Sequence, residues 1–399
     1  MRKGRKWIAL ATAAVLSVSI CGCAEEEKPT FTGETTEEAE YQDCLNAIAP
    51  SVYGKVQGLE LEPGTYISII GKSESTAYWQ MVEQGVMQAA EDLNAELGYT
   101  GEDKIKVTYN APEDEENIDE QVNILDEELA RYPDVLGIAS VDEEACMVQF
   151  DLATTNGIPI ISLDSGNTYQ GILCTVKTDN RDAAKTSASK LADELADESS
   201  VILLVHDSAS ESAREREESF ISQMNEEEGK TVAEVIYCDQ LDELKKQMIE
   251  EQSAESTEDT QDEAEAGDSA ASEISEESLQ EISDKEVVQY YIEKHGATGV
   301  FGTNPDATQL GLKAIEMCDN AEQIVLMGFD AGADQLQALR DGKIAGLIVQ
   351  NPFGIGYASV VAAARTVLEI GNEAVVDTGY VWVTMDNIEN ESIQKMLYE

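Results

Sequence analysis

Tyr66-Ile67-Ser68-Ile69-Ile70-Gly71-Lys72-Ser73-Glu74-Ser75-Thr76-Ala77-Tyr78-Trp79-Gln80 is the stretch on which the fold turns. Its first five residues make a run of strand length, apolar nearly throughout, that stops at Gly71 and Lys72. From Thr76 the period changes. Trp79, Val82, Val86, Ala90, Leu93 and Leu97 recur three and four residues apart, the spacing of one helix face, and Gly98 ends the run. A strand that is apolar without alternation must be covered on both faces, and a helix that follows it directly is the natural cover.

The same alternation continues outward. Ile105–Tyr109, Val135–Val141 and Ile158–Leu163 predict strands. Between them lie a helix striped by Ile118, Val122, Leu125 and Leu129 and another over Glu143–Thr155. A second series follows, with strands over Ile172–Lys177, Val201–Val205, Val232–Tyr237, Gly299–Gly302, Ile324–Gly328 and Gly346–Val349. Helices over Asp182–Ala196 and Ser212–Asn225 separate its first members. The 399 residues suffice for two domains, and two tandem α/β units with doubly wound parallel sheets are the simplest account. Residues 250–284 break the rhythm. No Lys or Arg occurs between Lys246 and Lys285, and the segment reads as a disordered, solvated insertion between helical pieces at Leu241–Glu250 and Glu286–Lys294. It lacks the Asp/Asn spacing and turn glycine of a calcium loop.

At the N-terminus, four of the first six residues are cationic, an apolar run extends from Trp7 to Ile20, and Cys21-Gly22-Cys23 follows. This is the layout of a secretory signal, and it is short for a membrane span of about 20 residues. Ile20-Cys21-Gly22-Cys23 resembles a bacterial lipobox, which implies removal of residues 1–22 and lipidation of Cys23. Residues 23–63 are acidic without sustained periodicity and read as a tether, with a short helix around Tyr41–Ile48.

The formal net charge is −54; without residues 1–22 it is −58, from 22 basic and 80 acidic residues. Such a surface repels nucleic acid and anionic headgroups, which argues against nucleic-acid binding. Beyond Cys21 and Cys23, the thiols Cys44, Cys146, Cys174, Cys238 and Cys318 are odd in number and widely spaced, as buried apolar residues are, with no disulfide framework. The two histidines, His206 and His295, stand far apart, so no metal site, cofactor or Ser-His-Asp triad is expected.

In open parallel sheets, ligands bind beyond the carboxyl ends of the strands. Here the apolar runs end in Lys72, Asp164, Asn304, Asp330 and Gln350. Any one of these is also a common cap or turn former. Thr76, Tyr78 and Trp79 stand at the start of the first helix. The two aromatics offer flat faces to the C–H side of a sugar ring, although Trp79 equally begins the core stripe. Asp, Asn, Gln and Arg suit hydroxyls, which both donate and accept. Arg216, within Ser212-Ala213-Arg214-Glu215-Arg216-Glu217, either joins this wall or is a solvated arginine paired with a neighbouring glutamate. His206 ends a strand-like run and either lines the cleft or is a solvent-facing or packed histidine.

Several segments, in their order and spacing, resemble the type I periplasmic-binding-protein family, nearest its ribose-binding branch. They are Tyr78-Trp79-Gln80 with Val82 to Gly85, Gly157-Ile158-Pro159-Ile160-Ile161 up to Asp164, and Ser212 to Phe220. Gly299-Val300-Phe301-Gly302-Thr303-Asn304, Val325 to Asp330, and Gln350-Asn351-Pro352 through Gly356-Tyr357 complete the set. The resemblance runs from Thr65 to Glu399. It implies two doubly wound α/β lobes joined by a three-strand hinge, residues 64–177 plus 351–381 and residues 178–350 plus 382–399, with the ligand in the cleft between them. It also implies roles in ligand binding. Lys72 and Thr76 match a polar wall, Tyr78 and Trp79 the stacking aromatics, Asp164, Asn304 and Asp330 the hydroxyl-binding residues, Arg216 the second-lobe arginine and Gln350 the hinge glutamine. The chain departs from ribose binders at Ser165, where they carry Arg, at Lys72 and Thr76, which replace a small hydroxyl residue and an Asn, and at Cys238-Asp239-Gln240, where an aromatic is expected.

The function so implied is capture of a small sugar or polyol, without catalysis, by a monomeric lipoprotein. Such a protein sits on the outer face of a Gram-positive membrane or in a periplasm and delivers its ligand to an ABC permease. A sensor that presents the ligand to a membrane receptor or kinase uses the same fold. A repressor of the lactose-repressor class would need a helix-turn-helix where this chain has a signal and tether. A glycosidase would use Asp164 and Asp330 as its paired carboxylates.

Overall fold

The computed structural model describes residues 40–115, 117–258 and 279–398. The expected signal peptide at residues 1–22, the lipidation site Cys23, the tether as far as residue 39 and residues 259–278 of the acidic insertion lie outside the described residues.

Twelve strands are present among the described residues: β1 (Tyr66–Ile70), β2 (Lys106–Asn110), β3 (Val135–Ile138), β4 (Ile160–Leu163), β5 (Ile172–Lys177), β6 (Ser199–Val205), β7 (Lys230–Tyr237), β8 (Gly299–Gly302), β9 (Val325–Phe329), β10 (Gly346–Gln350), β11 (Val375–Asp377) and β12 (Tyr380–Val383). They form two six-stranded sheets, in the orders β11-β5-β4-β3-β1-β2 and β12-β10-β9-β8-β6-β7. The first sheet is parallel throughout. The second is parallel except where β12 runs against β10. Every residue of β1, β3, β4, β8 and β10 is buried, as continuous apolar runs between helical layers require. The expected pair of α/β lobes is the architecture observed.

The chain passes between the sheets three times: after β5, after β10, and between β11 and β12. The last crossing corrects the expected boundary at residue 381. Tyr380 and Val381 pair with Gln350 and Val349, so they belong to the second sheet, and the crossing falls at Thr378–Gly379.

The tether is corrected as well. From residue 40 onward the chain belongs to the first lobe. Gln42–Asn46 is a short helix, and Leu45, Ile48, Tyr53, Val56, Leu59 and Leu61 are buried in that lobe's core. Asn351 Nδ2 donates to the Cys44 carbonyl at 2.7 Å, and Ala49 bridges Asp377 on the sheet edge. Irregularly spaced apolar residues hold this segment by tertiary contacts, which is why it shows no helical or strand period. On either side of the acidic insertion, helices run over Leu241–Glu258 and Asp284–His295.

The Ala77–Leu97 helix packs on the Pro352–Val367 helix at unusually short range. A Cβ on Gly85 would lie 2.1 Å from the Phe353 carbonyl oxygen, and one on Gly356 would lie 2.0 Å from the Val82 carbonyl oxygen. Each glycine admits the backbone of the other helix. In an exposed helix, Gly→Ala would gain about 1 kcal/mol. Here Gly85→Ala and Gly356→Ala should instead each lower unfolding stability by about 1–3 kcal/mol, the cost of overpacking, as read from chemical denaturation.

Candidate ligand-binding cleft

In each lobe one strand is flanked by neighbours reached in opposite winding directions. β1 lies between β2 and β3, and β6 lies between β7 and β8. A crevice opens beyond the carboxyl ends of such strands. The residues that follow β1, β4, β6, β8 and β9 meet there, with Gln350 at the end of β10. A cavity of about 270 Å³ is lined by all nine expected residues: Lys72, Thr76, Tyr78, Trp79, Asp164, Arg216, Asn304, Asp330 and Gln350.

Asp164 and Asp330 occupy matching places in the two lobes. Each follows its strand directly, at φ +53° and +69°, in the left-handed region that Asp tolerates better than most residues. The turn swings each carboxyl out of the sheet and toward the cavity. Tyr78 donates its phenol O–H to Asp164 Oδ1 at 2.5 Å. Gln350 Nε2 donates to Asp330 Oδ2 at 2.8 Å, and the Gln350 backbone N–H reaches Oδ1 at 3.2 Å. Burial pushes the Asp330 carboxyl above the usual carboxylate range, against the opposing pull of Arg216 and Gln350.

Arg216 is not a solvated surface residue. It is 4% exposed, and its Nε donates to Asn180 Oδ1 at 2.8 Å and its Nη1 to the Thr303 carbonyl at 2.6 Å. Its guanidinium carbon lies 3.8 Å from the Phe329 ring centroid. Neutral acceptors and an aromatic face hold the group in place, and no carboxylate is spent on it among these bonds. Asn304 caps the Pro305–Ile315 helix, with Oδ1 accepting from the Ala307 N–H at 2.8 Å. Trp79 is both core and wall: it is 2% exposed within the first-lobe cluster, meets Tyr78 edge-on at 5.3 Å and borders the cavity.

Three further residues of the wall are His206, Tyr398 and Glu115. His206 lines the cavity, the first of the two alternatives left open for it. Its Nδ1 lies 2.7 Å from Thr303 Oγ1, and burial lowers its pKa, with Arg216 and Lys72 adding to the drop against the pull of Asp207, whose Oδ2 is 3.4 Å from Nε2. Tyr398, near the chain end, meets Tyr78 edge-on at 5.7 Å, and its hydroxyl accepts from the Ala331 N–H at 3.3 Å. Glu115, in the turn after β2, accepts from the Thr76 hydroxyl at 2.9 Å. Ser165, where ribose binders carry Arg, donates to the Ser140 carbonyl at 2.9 Å and is absent from the cavity lining. Arg214, two residues before Arg216, reaches across to the first lobe and pairs with Glu143 at 2.7 Å.

In this two-lobed α/β chain the strand ends of both lobes thus face a shared polar cavity bordered by Tyr78, Trp79 and Tyr398. A family model described as "Periplasmic binding protein domain" matches residues 67–371, and the chain belongs to that family, a family of binding proteins and not of enzymes. It is 23% identical over 215 residues to the ribose import binding protein RbsB of Haemophilus influenzae, a match covering 54% of this chain and 59% of that protein. The match thus spans little more than half the length of that relative. Among solved structures it is similar to a carbohydrate transporter solute-binding protein from Agrobacterium radiobacter in complex with D-arabinose (TM-score 0.66, 24% identity, 84% of this chain and 99% of that one). It is also similar to an ABC transporter solute-binding protein from Agrobacterium vitis with bound D-fucose (TM-score 0.64, 20% identity, 84% and 100%).

Glu115 carries a pH signature. Burial raises its carboxyl to about 7, while the Thr76 hydroxyl and Lys72 pull it down and Asp164 and Asp306 add to the rise. A folded-state value above the ordinary 4.5 means that the folded chain holds the extra proton between these pH values. Stability therefore falls as pH rises from about 4.5 to about 7 and stays at the lower level above. Glu115→Gln should raise the melting temperature at pH 8, and the difference from the parent chain should vanish below pH 4.

Proposed function

We propose that this protein captures a small neutral sugar or polyol in the interlobe cleft and delivers it, outside the cytoplasm, to an ABC import permease. The observation that carries this reading is the matched pair Asp164 and Asp330, one from each lobe, facing one cavity beside Arg216, Asn304 and the Tyr78–Trp79 pair. A hydroxyl donates to a carboxylate and accepts from a guanidinium or amide, so this mixture satisfies adjacent hydroxyls on one ring. The aromatic edges take up its C–H face. No chemical step follows; the carboxylates hold the ligand and do not act as a hydrolytic pair.

Because each lobe supplies part of the wall, a ligand that touches both favours the closed arrangement over the open one. A permease that reads closure thereby reads occupancy. The Arg214–Glu143 pair adds a contact between the lobes, worth less than about 1 kcal/mol at its half-exposed end. Lipidation at Cys23 would keep the domain beside that permease, tethered by the acidic residues that precede residue 40.

Calorimetric titration against a monosaccharide and polyol panel should find at least one binder. Asp330→Ala and Arg216→Ala should each weaken it by about 2–3 kcal/mol, through loss of a charge-assisted hydrogen bond. Binding of an unrelated solute class, with no sugar bound, would contradict the reading. In a bacterial host, Cys23→Ala should move the exported protein from the membrane fraction to the soluble one.

A further inference from the structure

A second chamber of about 480 Å³ adjoins the first and shares six of its lining residues: Lys72, Thr76, Glu115, His206, Asn304 and Asp306. The inner chamber, at about 270 Å³, lies at the small end of small-molecule sites, which run from about 300 to 1,000 Å³. The two together offer much more room than a single sugar ring uses. We propose that the ligand has two hydroxylated parts, as in a disaccharide or other glycoside, with the terminal ring in the inner chamber and the second ring in the outer one. The proposal rests on the sugar reading of the inner chamber and names the substrate class within it.

Lys72 sits where the chambers join and borders both. It is 9% exposed, and its positive charge acts on the carboxyls of Glu115 and Asp207 without a hydrogen bond to either. An ammonium is a donor only, so its free donors suit ligand oxygens. Its position between the chambers assigns its partners: ligand oxygens at the linkage and on the rings to either side.

The outer walls define what lies beyond. Six carboxylate residues line the outer chamber, Glu113, Asp114, Glu115, Asp207, Asp239 and Asp306, and a carboxylate accepts only. An anionic group on the ligand would be repelled by them. A hydroxyl satisfies both, accepting from Lys72 and donating to a carboxylate. Ile118, 37% exposed, and Val141 form an apolar patch on the first-lobe side. An apolar patch opposite polar groups suits the two sides of a sugar ring. Both lobes contribute, with Ile118 and Val141 from the first and Ala209 and Asp239 from the second. Closure therefore clamps the second ring as it does the first.

The test uses the full chain and the monosaccharide that binds it tightest. That sugar is compared by calorimetry with α- and β-linked disaccharides carrying it at the non-reducing end. The expected result is that one anomer binds at least about tenfold tighter than the free sugar, a difference of about 1.4 kcal/mol. Ala209→Trp and Val141→Trp, at positions that line only the outer chamber, should each abolish that gain and leave the monosaccharide affinity within about twofold. If both anomers bind about 100-fold more weakly than the free sugar, the inner chamber is closed around one ring and the proposal is overturned. So is it if the two tryptophan variants leave a disaccharide gain intact. A chain that binds no sugar of either size would contradict the function proposed above, a separate outcome.

Discussion

A parallel strand buried on both faces has no place for an unpartnered polar side chain except at its end, and the organisation of this protein follows from that restriction. β1, β3, β4, β8 and β10 are buried along their whole length. Ser68, Ser162 and Gln350 are the polar residues within them. Ser68 donates to Glu128 at 2.8 Å, Ser162 is 2.7 Å from Thr175 Oγ1, and Gln350 stands at the cleft itself. The groups that can meet a ligand therefore collect where the strands stop. Two sheets built alike and connected by three crossings turn those ends toward one another across a shared cleft.

Charges in that cavity are held by neutral neighbours. Arg216 is fixed by an amide, a carbonyl and an aromatic face, Asp330 by a glutamine, and Asp164 by a phenol. Had the arginine been paired directly to the aspartates, the favourable Coulomb energy would already be spent within the protein, and a ligand would have to break that pair to enter. Held apart, the two charge types keep hydrogen-bonding capacity for hydroxyls.

Much of this was legible in the sequence because it depends on local pattern. Apolar runs without alternation marked buried strands, and the residue after each run marked the cleft, so Lys72, Asp164, Asn304, Asp330 and Gln350 could be named from position alone. What was not legible depends on contacts distant in sequence. Glu115 lies in the run Glu113-Asp114-Glu115-Glu116, where nothing local separates a cavity carboxylate from solvated neighbours. Tyr398 reaches the cleft because the chain end packs in the second lobe's core, with Ile388 and Ile393. Residues 40–63 look like tether because Leu45, Ile48, Tyr53 and Leu61 follow no regular period, and their burial comes from packing in the first-lobe core with the Pro352–Val367 helix. Arg214 and Arg216 share one motif, yet one spans the lobes to Glu143 and the other is buried in the cleft. The resemblance to a known family distinguished the two where composition alone could not.

The central claim is that the two lobes share one ligand at their strand ends. A crystal structure of the chain purified with the solute it retains tests this most directly. The account predicts a hydroxylated ligand with oxygens about 3 Å or less from the carboxylates of both Asp164 and Asp330 and from the Arg216 guanidinium. A ligand bound to one lobe alone, or away from both aspartates, would contradict it.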